Sequence, residues 1–145
     1  MQSLPELLLM IHLAATLFMT GVIWFVQVVH YPLFSAVARS EFPSYAKQHA
    51  ALTTWIVAPP MLVELASALL LFWIRPAGVS TGNLSVGLSL LAVIWISTAL
   101  VQVRCHDALQ RGFDATAYRR LVRTNWVRTV AWSLRGLLAL RMALG

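Results

Sequence analysis

Polar positions thin out in four stretches of the chain. Each is long enough to cross a hydrocarbon core of about 30 Å, which takes about 20 apolar residues in helix. They run approximately from Leu7 to Val29, Leu52 to Trp73, Leu84 to Val103 and Val122 to Ala143. Helix breakers separate them. Tyr31-Pro32 ends the first, because proline disfavours helix in the residue before it. Phe42-Pro43 precedes an amphipathic approach from Ser44 through Tyr45 and His49 into the second. Arg75-Pro76-Ala77-Gly78 through Gly82-Asn83 is a turn cluster, and Arg111-Gly112-Phe113-Asp114 precedes the fourth. The expected helices are about 7–29, 44–73, 84–110 and 118–143. Short connections make successive helices antiparallel neighbours. The expected fold class is therefore all-α: a polytopic membrane protein, one domain over 1–145, built as an up-down-up-down bundle of four transmembrane helices.

Composition agrees. The chain is 59% hydrophobic and 11% charged, against about 25% charged in soluble domains. A single cysteine, Cys105, excludes an intramolecular disulfide and any cysteine-based zinc cluster, and reads as a small packing residue. The net charge of +6 does not point to nucleic acid, because the basic residues crowd the ends of apolar segments. Met1 to Glu6 carries no basic residue and the apolar run after it exceeds a signal-peptide core, so the first helix is expected to be retained.

Basic residues also orient the bundle. Arg39 and Lys47 lie between helices one and two, and Arg104, Arg111, Arg119, Arg120 and Arg123 around the connection between three and four, against Arg75 alone in the remaining loop. The positive-inside rule then puts both termini outside the cytoplasm, which in a bacterium means an inner-membrane protein. Gly21, Ala66, Ala68, Gly87, Ser97 and Gly136 are small residues suited to close helix approach.

The polar residues inside these helices are not scattered. His30 ends helix one, His49 starts helix two, His106 ends helix three and Asn125 starts helix four, all at one membrane face. Each has polar company at helical spacing: Gln27, Thr53, Gln102 and Arg128 respectively. Such groups usually face the bundle interior, so one polar chamber is expected, lined by Gln27, His30, His49, Gln102, His106 and Asn125, with Tyr31, Tyr45 and Asp107 at its rim. Three imidazoles suit zinc, copper or iron, and two facing ones suit haem. The bland alternative is a hydrogen-bond network holding helix ends together. A deeper layer holds His12, about 27 Å from His30 on the same face, and Glu64, about 22 Å beyond His49. A Glu facing Arg135 can stay charged in lipid, whereas a lone one would be neutral. Pro59-Pro60 just before Glu64 frees backbone carbonyls there. Trp126 and Trp132 stand beside arginines, where a cation–π wall can form.

The runs Gln27-Val28-Val29-His30-Tyr31-Pro32-Leu33-Phe34, Phe42-Pro43-Ser44-Tyr45 to His49, Pro59-Pro60-Met61 to Glu64 and Thr124-Asn125-Trp126-Val127-Arg128-Thr129 resemble those of the small four-helix integral membrane proteins of the anthrone-oxygenase-like type. The similarity is one of pattern over most of the chain. It implies a membrane oxygenase or oxidoreductase acting on a small molecule, aromatic ones included. A fainter similarity, His12 in a helix of small and aromatic residues, is to the four-helix haem-binding membrane protoporphyrinogen oxidases.

Two function classes stand open. In the first, a membrane oxidoreductase or oxygenase holds iron, copper or haem on His30, His49 and His106. Gln27, Gln102 and Asn125 contact the cofactor, and Asp107 or Gln102 orients rings. Tyr31 and Arg128 handle protons or an anionic substrate group, with Glu64 as a further catalytic candidate. In the second, the Glu64 and Arg135 layer lies on the path of a non-enzymatic carrier or accessory subunit, which at four helices would need to be a homo-oligomer. The partners expected are the lipid bilayer and a small molecule, and no nucleic acid. No nucleotide, flavin or nucleophilic-triad motif occurs in the chain.

Overall fold

A computed structural model describes residues 3–145, leaving Met1 and Gln2 outside the described residues, and every regular element in it is helical. Helix α1 (Leu4–Phe25) passes through a π-helical turn (Val26–His30) into α2 (Tyr31–Leu33) and a 3-10 turn (Phe34–Ala36). Helix α3 covers Phe42–Leu70, and α4 (Thr81–Ser97) passes through a second π-helical turn (Thr98–Gln102) into α5 (Val103–Gln110). Helix α6 is Ala115–Leu144. The starts follow from local chemistry. The Glu6 carboxylate accepts from the Ser3 amide at 2.9 Å, the Ser80 hydroxyl accepts from the Asn83 amide at 3.1 Å, and Asp114 accepts from Thr116 and Ala117 at 2.7 and 3.1 Å.

Three continuous helical stretches, Leu4–Ala36, Phe42–Leu70 and Thr81–Gln110, are long and apolar enough to cross a membrane. Only 33%, 22% and 17% of their apolar windows are buried by protein, so much apolar surface is left uncovered, as suits helices that meet lipid. The expectation of four such helices meets three by this measure. Helix α6 is long enough but carries six arginines, Arg119, Arg120, Arg123, Arg128, Arg135 and Arg141.

Two boundaries also differ from the sequence expectation. The first helix does not stop at Tyr31-Pro32 but continues to Ala36. The widened π turn of Val26–His30 stands just before Pro32, which then occupies a first-turn position of α2, where a missing N–H matters least. The second helix begins at Phe42, runs through Pro59 and Pro60, and ends at Leu70 instead of Trp73. Three apolar clusters fill the interior between the helices. One end holds Tyr31, Phe34, Phe42, Leu109 and Leu121, the middle Met19, Ile23, Met61, Ile94 and Trp132, and the far end Leu9, Leu71, Val79 and Leu84. Cys105 packs in the first of these as a free thiol.

Helix α1 packs against α3 and α6, α4 against α6, and α5 against α3 and α6. Gly136 permits the α1–α6 approach, since a Cβ there would meet Thr20 Oγ1 at 3.3 Å and Leu17 at 3.4 Å. The Thr20 hydroxyl donates across that contact to the Trp132 carbonyl at 3.1 Å. Gly21 does not have the packing role expected of it, because nothing lies within 4 Å of a Cβ built there.

Candidate functional site

The three histidines at the helix ends meet. His30 Nε2 and His49 Nδ1 are 2.8 Å apart, and the ring centroids of His49 and His106 are 5.5 Å apart. Thr53, one turn along α3, brings its hydroxyl to 3.1 Å from the same His49 Nδ1. His106 Nε2 lies 3.2 Å from the Tyr31 hydroxyl. These partners correct the expected ring orienters, because neither Asp107 nor Gln102 bonds an imidazole. Asp107 is exposed, and the Gln102 amide nitrogen donates to Thr124 Oγ1 at 3.0 Å. Tyr31 is not at the rim either: it is buried, because the helix continues past it and folds its ring into the first apolar cluster.

Both π turns stand at this level. The Val26–His30 turn contains Gln27 and His30, and the Thr98–Gln102 turn ends one helical turn before His106. An extra residue in the turn rotates the helix beyond it relative to the helix ahead of it, so the shared face expected from the spacing of Gln27 and His30 is lost. Gln27 is buried and His30 is half-exposed. Such turns often mark functional sites, and nothing in Val26-Gln27-Val28-Val29-His30 announces one. A second feature missed by spacing is Phe34, fully buried, with ring centroids 5.3, 5.1 and 6.5 Å from His30, His49 and His106, each near edge-on. One aromatic ring thus sets the positions of three imidazoles.

Beside the cluster is a cavity of about 270 Å³ whose wall includes Tyr31, His49, Thr53, Gln102, His106 and Arg128, with apolar Met19, Val22, Ile23 and Val57. Exposed Asp107 also borders it. Arg128 is 8% exposed and has no carboxylate partner; the ion pair formed among the described residues is that of Glu64 with Arg135. One guanidinium nitrogen donates to Asn125 Oδ1 at 3.1 Å, and the Asn125 amide donates to Gln27 Oε1 at 2.9 Å. Its carbon lies 5.2 Å over the Trp132 ring, the cation–π contact expected from the sequence. Arg128 Nε and Gln102 Oε1 are buried without a hydrogen-bond partner. Gln27 and Asn125 are therefore supports of Arg128, away from the cavity wall, whereas Gln102 and Arg128 line the cavity.

The deeper layer is closed. Glu64, fully buried, accepts from Thr16 Oγ1 at 2.8 Å, from Trp132 Nε1 at 3.0 Å and from Arg135 Nε at 3.0 Å. Arg135 also donates to the Gly87 carbonyl, and its remaining nitrogen lies 3.5 Å from His12 Nε2. His12 Nδ1 is 2.8 Å from Ser67 Oγ, whose own proton goes to the Val63 carbonyl at 2.7 Å. Ser67 and Arg135 thus stand at the two nitrogens of the His12 ring. Neither Glu64 nor Arg135 borders the histidine cavity. With both carboxylate oxygens engaged, the layer has the form of a satisfied buried network.

As arranged, the imidazole nitrogens of His30 and His49 point at each other. Metal ligands instead direct their lone pairs at a shared point about 2.0–2.1 Å from each nitrogen. Among the described residues no group of three or more His, Cys, Asp or Glu side chains is disposed to hold a metal ion. The ligand chemistry suits iron or copper, but a metal would have to replace the His30–His49 hydrogen bond. A cavity near 270 Å³ is at or below the small end of drug-sized pockets, about 300 Å³, and is too small for a porphyrin. Comparison with protein-family models, with curated proteins and with solved structures gives no match to this chain.

Proposed function

We propose that this chain is an integral membrane enzyme that binds a small acidic molecule in the histidine cavity and removes its proton; an oxidoreductase or oxygenase reaction on that anion would need an electron acceptor besides. The observation that carries the reading is Arg128, a buried cation without a carboxylate, sharing a cavity with two imidazoles and a buried tyrosine. An uncompensated buried charge is expensive, and its natural complement is an anionic ligand. The unpartnered Arg128 Nε is a donor and the unpartnered Gln102 Oε1 an acceptor. The Arg128 donor suits an anionic oxygen such as that of a phenolate, enolate or carboxylate, and the Gln102 acceptor suits a neighbouring hydroxyl of the same ligand. His49 or His106 takes the proton, leaving the substrate anion against the Arg128 guanidinium and the Tyr31 hydroxyl.

The test is binding of benzoate to the detergent-purified protein, followed by calorimetry, alongside metal and haem analysis of the same sample. Benzoate bound at one site per chain, with benzyl alcohol bound far more weakly, is the expected result. Equal affinities for the two would remove the anion site. Stoichiometric iron, copper or a Soret band would replace the proton-transfer reading by the metal or haem one, with His30, His49 and His106 as ligands.

The same reading takes α6 as a fourth span in an antiparallel up-down-up-down bundle. Arg128 and Arg135 are buried in the bundle, while Trp126, Val127, Val130, Leu134 and Leu137 are 44–66% exposed, an apolar outer face beneath a polar average. Seven of the eleven basic residues, Arg39, Lys47, Arg104, Arg111, Arg119, Arg120 and Arg123, then lie on the cytoplasmic side of a bacterial inner membrane, with both termini opposite. Reporter fusions at Lys47 and Arg119 are expected to read cytoplasmic and one at Gly78 external. Opposite signals at Lys47 and Arg119 would end the four-span arrangement.

A further inference from the structure

A second hollow, of about 560 Å³, lies between α1 and α3. Its lining is almost wholly apolar: Gly21, Val22, Phe25, Leu52, Ile56 and Val57 carry most of it, with His30 and His49 at one end. Phe25, Leu52 and Ile56 are each 58–59% exposed, so this hollow opens along the apolar outer surface that lipid would cover. It shares a wall with the histidine cavity, formed by Val22, Val26, His49, Thr53 and Val57. One layer of side chains therefore separates a lipid-facing apolar groove from a polar chamber holding an unpaired cation. Gly21 floors the groove without touching any neighbour, so the missing side chain serves the hollow and not the packing of the helices.

We infer that the substrate is an amphiphile dissolved in the bilayer, with a single-chain apolar body and one acidic head, admitted sideways between α1 and α3. The body lies in the groove over Gly21, and the head passes the His49–Thr53 layer to reach Arg128 and Gln102. Charge complementarity picks the head, because Arg128 has no counter-charge. The apolar lining and its outward opening pick the body, because a water-soluble acid gains nothing from that groove. This deepens the acidic-substrate reading and rests on it.

The test uses the full chain in detergent with palmitate, hexadecanol and benzoate as probes, and the variants Gly21→Phe and Ile56→Trp. Each variant fills the groove from one wall and leaves the histidine cavity as it is, and thermal unfolding identifies whichever variant is folded. Palmitate is expected to bind at least about tenfold more tightly than hexadecanol. A filled groove should weaken palmitate by about tenfold, the effect of withdrawing two methylenes from an apolar site, with benzoate unchanged. If benzoate and palmitate both fail to bind the wild type, the anion site itself is wrong. If benzoate binds and palmitate does not, or a folded filled-groove variant keeps full palmitate affinity, the sideways port is overturned and the anion site stands. Equal binding of palmitate and hexadecanol overturns the acidic head.

Discussion

Replacing Glu64 by Gln is expected to destabilise the protein by about 3–5 kcal/mol, the cost of removing one partner from a buried ion pair. Size is conserved, so the loss is electrostatic. Arg135, 2% exposed, keeps its charge without its partner. One of the three donors converging on the carboxylate, from Thr16, Trp132 and Arg135, must also face an amide N–H₂ in place of an oxygen. Replacing Glu64 and Arg135 together by Met removes both charges at once, and although Thr16 and Trp132 still lose an acceptor, the double change should cost less than the sum of the singles Glu64→Met and Arg135→Met. Thermal unfolding of the four proteins in one detergent checks this, and additive losses would show that the two charges do not interact. Because Trp132 also lies under Arg128, part of the loss should appear as looser packing at the histidine cavity.

That pair is legible in the amino-acid sequence. A helix advances about 1.5 Å per residue, and the residue separations alone place His12, Glu64 and Arg135 well inside their helices and away from the histidine end, though not at one depth. The same counting brings His30, His49 and His106 to one end, since antiparallel helices joined by short loops must share a face there. Rotation is beyond the reach of counting. The π turns at Val26–His30 and Thr98–Gln102 shift the faces of everything beyond them, and no residue pattern marks them. Hence Gln27 turns inward to hold Asn125, Tyr31 stands in the interior and not at the rim, and the helix survives Pro32. Phe34 is hidden for a different reason: an apolar residue near a loop carries no chemical signal, and only packing shows that three imidazoles stand around it. The fourth stretch read from the sequence corresponds to α6, whose six arginines set it apart from the three apolar helices.

Arg128→Met should move stability and binding in opposite directions, unlike Arg135→Met. The two arginines sit seven residues apart on α6, both nearly buried, but only Arg135 has a carboxylate. Removing Arg135 leaves Glu64 charged and unpaired, so the protein should lose stability. Removing Arg128 deletes a buried cation that nothing neutralises, at the loss of one hydrogen bond to Asn125 and one contact with Trp132. A methionine of similar length fills the space, so the unfolding midpoint should hold or rise, by the equivalent of about 1 kcal/mol. Binding should fall steeply. Truncating the charged partner of a buried anion costs about 2–4 kcal/mol, or roughly 30- to 1,000-fold in the Kd for benzoate. Benzyl alcohol, which has no charge to lose, should be nearly unaffected. A residue kept at a cost to stability is one kept for its ligand, and that trade is what the paired measurement reads. Should Arg128→Met unfold as readily as Arg135→Met while benzoate affinity stays within about twofold, Arg128 is a structural cation and the acidic-substrate site is wrong.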